Sequence, residues 1–356
     1  MADVHVTIDG VILYCDESVS TLQLENGYSI QKVYLVEIPF RNKITDGNGN
    51  LTINYLGSQL HDDNGTYLMC IHKEDTFQVR LPQIAPGVHL TDKDLMCGEQ
   101  LEEYKDTEME YLNKVFSLLR LFKKGNIGCK EVFFEHKFTV MGFINNTQKQ
   151  TSDNVTRNIV DSTFFILSTD EAIKCNQFLQ DYIGQEYYLL KNCIDEFTWG
   201  LEQVDIPTGF EQYTTALEMI FLAKDQQGKK EVLSKRVSVL LENDPIKIQA
   251  LYDKVKNFYR YRSESLHEGD GRNITAAELK EMEEIVRKVL LKYLDFCKTA
   301  IVNNGSITWE TIKENKIIDL KAAVETAKNA GVLPILCSSS KNVSKRSPKR
   351  LAPWST

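Results

Sequence analysis

No uncharged run in this chain approaches the roughly 18 apolar residues that a bilayer-spanning helix needs. Met1 to Asp9 alternates polar and apolar side chains instead of opening with a basic region and an apolar core. Neither secretion nor membrane insertion is expected, and the reading is of a cytoplasmic protein in which triplets such as Asn154-Val155-Thr156 carry no glycosylation meaning. The eight cysteines, at 15, 70, 97, 129, 175, 193, 297 and 337, include no C-x-x-C pair and have no His-rich neighbourhood. Neither a zinc site nor a disulfide framework is suggested, and the thiols read as buried or incidental in a reducing compartment. Positive charge is not in excess: the formal net charge is −8 and the isoelectric point about 5.5. That is unlike proteins that coat duplex DNA, so any nucleic-acid contact has to be local. A GxxxxGK[ST] phosphate loop, a dinucleotide fingerprint, HExxH and internal repeats are all missing. Nucleotide hydrolysis and metalloprotease chemistry therefore have no support, and no cofactor or metal is expected.

With 356 residues and 42% apolar side chains, the chain is long enough for two cores. From Val4 to about Val79 the pattern is strand-like, with Val4, Val6 and Ile8 alternating and Asp46-Gly47-Asn48-Gly49-Asn50 as a turn. Glu108 to Lys124 reads as a helix capped by Gly125, with Leu112, Val115, Phe116, Leu119 and Phe122 on one face. Val132 to Phe143 and Ser162 to Leu167 return to strand character, separated by an expected exposed loop from Asn145 to Arg157. After an N-cap-like Thr169-Asp170-Glu171, five helices are predicted over Ala172–Phe197, Phe210–Ala223, Lys230–Glu242, Ile246–Leu266 and Ala276–Ala300, with one or two short ones over Thr308–Ala330. The fold class is α+β, with a β-rich N-terminal domain over 1–168 and an all-α bundle over 169–302. A short helical extension over 303–337 and a flexible basic tail over 338–356, carrying Lys341, Lys345, Arg346, Lys349 and Arg350, complete the division.

The segment richest in chemistry is Phe258-Tyr259-Arg260-Tyr261-Arg262-Ser263-Glu264-Ser265-Leu266-His267-Glu268-Gly269. At about 100° per residue, Leu251, Val255, Phe258 and Leu266 share a stripe, and Arg262 falls in its middle. A buried unpaired guanidinium costs several kcal/mol, so Arg262 calls for a carboxylate, a second chain or an anion such as phosphate. His267 lies roughly 140° further round, where Glu268-Gly269-Asp270-Gly271 ends the helix. The plain alternative is a structural arginine and a surface histidine favoured by the helix dipole.

This stretch resembles the Arg-x4-His signature of HEPN domains (higher eukaryotes and prokaryotes nucleotide-binding). Tyr213 to Phe221 and Leu233 to Leu241 are similar to the preceding helices of its ApeA-like branch, and Leu118 to Gly125 looks like a segment of that branch's N-terminal regions. The resemblance implies a helical bundle that dimerises so that two motifs face each other as a metal-independent endoribonuclease, of the kind used in prokaryotic antiviral defence or toxin-like systems. It assigns proton transfer to His267 and phosphate binding to Arg262, with 2′,3′-cyclic phosphate and 5′-hydroxyl products. Ser263 stands where the wider superfamily often has asparagine, aspartate or histidine; serine donates to phosphate but does not shuttle protons at neutral pH. Glu218 matches the acidic residue of the family's Ala-Leu-Glu helix and reads either as the partner of Arg262 or as a flanking glutamate. Tyr259 is a supporting residue, and Arg260, Lys256, Lys254 and Arg272 are candidates for an RNA phosphate track, each with a solvated face as the plain alternative. Expected partners are RNA, a second copy of the chain, and a trigger or regulator at the N-terminal domain. The runner-up function is a HEPN module that binds nucleotide or RNA, or dimerises, without cleaving.

Overall fold

Alternation along the first strand sets the layout. The computed structural model describes residues 2–79, 98–139, 149–153, 163–268 and 274–334. Its strands are β1 (Ala2–Leu13), β2 (Ser29–Tyr34), β3 (Leu60–Asp62), β4 (Gly65–Val79), β5 (Gly128–Thr139) and β6 (Lys149–Asp153). They pair antiparallel in the order β2-β4-β1-β5-β6, with β3 on β4. Val4, Val6, Ile8 and Ile12 of β1 are buried in the main core, as period-two alternation requires. Gly10 lies in the same series: a Cβ there would meet Cys129 Sγ at 2.7 Å, so only glycine fits.

Odd-numbered β1 residues are polar as far as Asp9, then give way to Val11 and Leu13, which are buried against Ile38, Phe40, Ile44 and Tyr55. A small cap covers that part of the second face. The strand-like reading of residues 4–79 gives way within it to two single-turn helices, α1 (Arg41–Ile44) and α2 (Ile53–Leu56). Between them is the expected turn, where the Asp46 carboxylate accepts from the Asn48 and Asn50 N–H groups, both at 2.9 Å.

The helix α3 (Gly98–Phe122) begins well before Glu108, its mostly polar first turns anchored by Leu101 and Tyr104, which pack against the main core. Leu112, Val115, Phe116 and Leu119 are buried as predicted. Part of the expected exposed loop is the edge strand β6, and the rest of it lies outside the described residues. Of the strand expected at Ser162 to Leu167, only a parallel bridge from Cys15 to Phe165 is present. The helices that follow are α4 (Thr169–Tyr182), α5 (Gln185–Leu201), α6 (Ile206–Phe221), α7 (Lys229–Leu241), α8 (Pro245–Glu268), α9 (Ala276–Asn304) and α10 (Trp309–Asn329). The single helix expected from Ala172 to Phe197 is thus divided at Ile183-Gly184. Ser168, one residue before the expected cap, closes a reciprocal capping box with Glu171. The tail at 338–356 lies outside the described residues.

Sheet and helices share one apolar core, which runs from Val4 and Ile71 through Leu119 to Phe197, Phe210 and Leu290. A buried polar knot lies on the seam. Arg120, 1% exposed, donates from Nη1 to Glu202 Oε1 at 2.7 Å and from Nε to the Ile127 carbonyl at 2.6 Å. Arg287 of α9 donates to the Arg120 and Leu121 carbonyls and pairs with Glu283. Removing one partner of such a pair leaves a desolvated charge and costs about 3–5 kcal/mol. Arg120→Met should therefore lower urea stability by about 3 kcal/mol or more, with far-UV circular dichroism and tryptophan fluorescence still losing signal together. Two separated transitions would show that the halves unfold independently.

At the end of α3, Lys123 donates to both Glu171 oxygens at 2.7 Å, tying α3 to the start of α4. Lys123 first, and then the Ser168 N–H, hold the Glu171 carboxyl down to about 2 from its ordinary 4.5. A depressed folded value means that this contribution is present above about pH 4.5 and is lost as the pH falls through about 2. Glu171→Gln should flatten the fall of melting temperature across that window; an unchanged acid profile would show the pair contributes nothing.

Candidate functional site at the end of the eighth helix

Asp244 opens α8 by accepting from the Ile246 and Lys247 N–H groups at 3.0 and 3.1 Å, immediately before Pro245 at the first helical position. Helix α8 leans mainly on α7 and also touches α6. Val255 and Phe258 are buried, as the stripe predicted, but Ile248 and Tyr252 are buried as well while Leu251 is only half-buried. The packing face is turned by only about 25° from the expected centre, so Arg262 stays within it, with 20% of its side chain exposed.

The guanidinium meets Glu218. Arg262 Nη1 donates to Glu218 Oε1 at 3.0 Å, and the Tyr259 hydroxyl donates to the same oxygen at 2.5 Å. The arginine carbon lies 5.8 Å from the centre of the Tyr259 ring. Glu218 projects from the rim of α6, whose Ala216, Leu217, Ile220 and Phe221 are fully buried. The Ala-Leu-Glu segment therefore fixes the carboxylate by anchoring its neighbours. Burial, followed by the Glu218 hydrogen bond, pushes the Tyr259 hydroxyl up to about 12, so it remains a donor at neutral pH. Among the described residues, the Arg262 Nε is buried and has no hydrogen-bond partner.

The other sequence-derived candidates divide. Ser263 is half-buried beside Arg262. His267 belongs to the last turn of α8, but its side chain lies outside the described residues, as does all of Arg272. Arg260 is exposed, with its guanidinium 5.5 Å from the Tyr261 ring. Lys256 turns toward α7, where it pairs with Glu231 Oε1 at 2.7 Å and reaches the Tyr252 hydroxyl at 3.0 Å. Tyr252 also donates to Glu231. The hydrogen bond to Glu231 is the largest influence raising the Lys256 ammonium above its ordinary value, and it commits Lys256 to holding α7 and α8 together. That Glu231, Tyr252 and Lys256 form a unit was not read from sequence, because the glutamate sits one helix earlier and its spacing carries no signal. Among the described residues, no group of three or more His, Cys, Asp and Glu side chains could hold a metal ion, and no helix is long and apolar enough to cross a membrane.

Comparisons with protein-family models, with curated proteins and with solved structures gave no match. The functional reading therefore stands on the motif and its geometry.

Glu218 and Arg262 should behave as a coupled pair. Each alanine substitution should destabilise by about 1–3 kcal/mol, and the double variant should cost less than the two together by at least about 0.5 kcal/mol in a urea cycle. Strict additivity would show that the contact is idle.

Proposed function

We propose that this chain is a HEPN-type, metal-independent RNA endonuclease acting as a dimer, with Arg262 holding the scissile phosphate and His267 transferring a proton. The observation that carries the reading is the state of Arg262. Its guanidinium is fixed on one side by Glu218 and keeps a buried Nε–H without a partner among the described residues. A phosphate oxygen is an acceptor that would satisfy such a donor.

In the proposed reaction the ribose 2′-oxygen loses its proton and bonds to the adjacent phosphorus. The bond from phosphorus to the 5′-oxygen then breaks, and that oxygen takes up a proton. Histidine titrates in the range suited to such transfers. An arginine fixed before substrate arrives stabilises the extra charge on the phosphorane without reorganising. Tyr259 and Glu218 act here as positioning residues that restrict the rotamers of Arg262. A prokaryotic defence or toxin-type role and a regulating β-rich region belong to the same proposal.

One observation favours a second reading, in which the module binds RNA or a nucleotide without cleaving it. Glu218 already neutralises Arg262, so phosphate must compete with a carboxylate, and Ser263 offers no proton shuttle.

Wild-type protein incubated with total RNA in EDTA should give fragments ending in 2′,3′-cyclic phosphate and 5′-hydroxyl. His267→Ala and Arg262→Ala should each cut at least about a hundredfold more slowly. Fragments made equally by the His267→Ala protein would contradict the assignment, and RNA retention with no cleavage by wild type would favour the binding module.

A further inference from the structure

Between the first half of α8 and the first half of α9 lies an open groove of about 540 Å³, closed at one side by the residue after the Lys123 tie. Lys124, Lys247, Lys254, Lys280 and Lys288 line it, all exposed. The glutamates there are Glu242, Glu281 and Glu284, so the lining carries five positive and three negative charges, 5 − 3 = +2, on a chain whose net charge is −8. Two lysines are engaged, Lys254 with Glu281 at 3.0 Å and Lys288 with Glu284 at 3.6 Å. Lys124, Lys247 and Lys280 make no ion pair among the described residues. The floor is aliphatic, formed by Ala250, Leu251 and Ile285.

The groove and the motif share α8. Lys247, Lys254 and Tyr261 recur every seven residues, two helical turns apart, and so lie along one side of α8. Arg262, one residue after Tyr261, stands about 80° round the helix from Lys254. At 1.5 Å per residue it stands about 12 Å further along the axis than Lys254.

We infer that this groove is a phosphate track that seats single-stranded RNA on the approach to Arg262. The lysines supply mobile point charges suited to a backbone, the aliphatic floor accepts base or ribose faces without reading sequence, and the glutamates keep the attraction local. The identity of the polyanion rests on the proposed RNA-cleaving function, whereas the existence of the track rests on the groove.

The test uses full-length protein and a fluorescein-labelled oligouridylate as the probe, with anisotropy followed from 50 to 200 mM salt. Single strands show a slope of log K against log salt of about −0.7 per phosphate contact. Lys247→Gln/Lys280→Gln should therefore weaken binding by roughly fivefold or more at low salt and make the slope shallower by about 1.4. The exposed pair Lys43→Gln/Lys174→Gln, away from the groove, serves as the control for total charge. Equal losses in the two variants, or unchanged binding in the groove variant at an unchanged melting temperature, would overturn the track. No binding of the probe by wild type would also overturn it. Groove-dependent binding by a protein that never cleaves would leave the track standing and remove the nuclease reading; cleavage indifferent to the groove would do the reverse.

Discussion

The buried guanidinium of Arg120 is the constraint from which the rest of the architecture hangs. It sits where the start of β5, α3, the end of α5 and α9 converge, with donors directed at Glu202 and the Ile127 carbonyl while its own carbonyl receives Arg287. A buried ion pair of this kind contributes little net stability over an apolar replacement but is intolerant of misalignment. Among the described residues, Arg120 Nη2 and Arg287 Nε are buried without a hydrogen-bond partner, the latter 3.8 Å from Glu284 Oε2, so the knot is costly as well as specific. Position is then handed on: α5 and α9 pack on α6, and α6 together with α7 holds α8. The Glu218 carboxylate, and with it Arg262, is located by this relay.

Legibility of the fold followed the strength of periodic burial. β1 was readable because Val4, Val6 and Ile8 alternate over a one-sided core, and α6 because Ala216, Leu217, Ile220 and Phe221 mark a fully buried face. The opening turns of α3 escaped because Leu101 and Tyr104, which pack on the core, are too few to show a period among exposed Glu99, Glu102 and Glu103. The break at Ile183-Gly184 was hidden by apolar positions that stay in phase on both sides, and the cap over β1 was hidden because its single-turn helices are too short to show a period.

The site was legible only where covalent neighbours carry it. Arg262 stood out as a cation on an apolar stripe, and Glu218 was read either as its partner or as a flanking glutamate. Their meeting depends on how α6 crosses α8, which no local pattern encodes. The pairing of Lys256 with Glu231 was not legible either, because the glutamate lies on another helix. The lysine groove was invisible for the same reason, since Lys124, Lys247 and Lys280 come from three separated segments. A chain of net charge −8 can still offer a polyanion a local home if those segments converge.

The central claim is that Arg262 keeps a buried donor for phosphate while Glu218 holds it in place. The most direct measurement is the ¹⁵N–¹H resonance of Arg262 Nε, assigned by its loss in Arg262→Lys, during titration with a short 2′-O-methyl RNA that cannot be cleaved. The account predicts a saturable downfield proton shift as Nε–H gains a phosphate acceptor. An Nε–H signal that stays fixed while the RNA saturates the protein would contradict it.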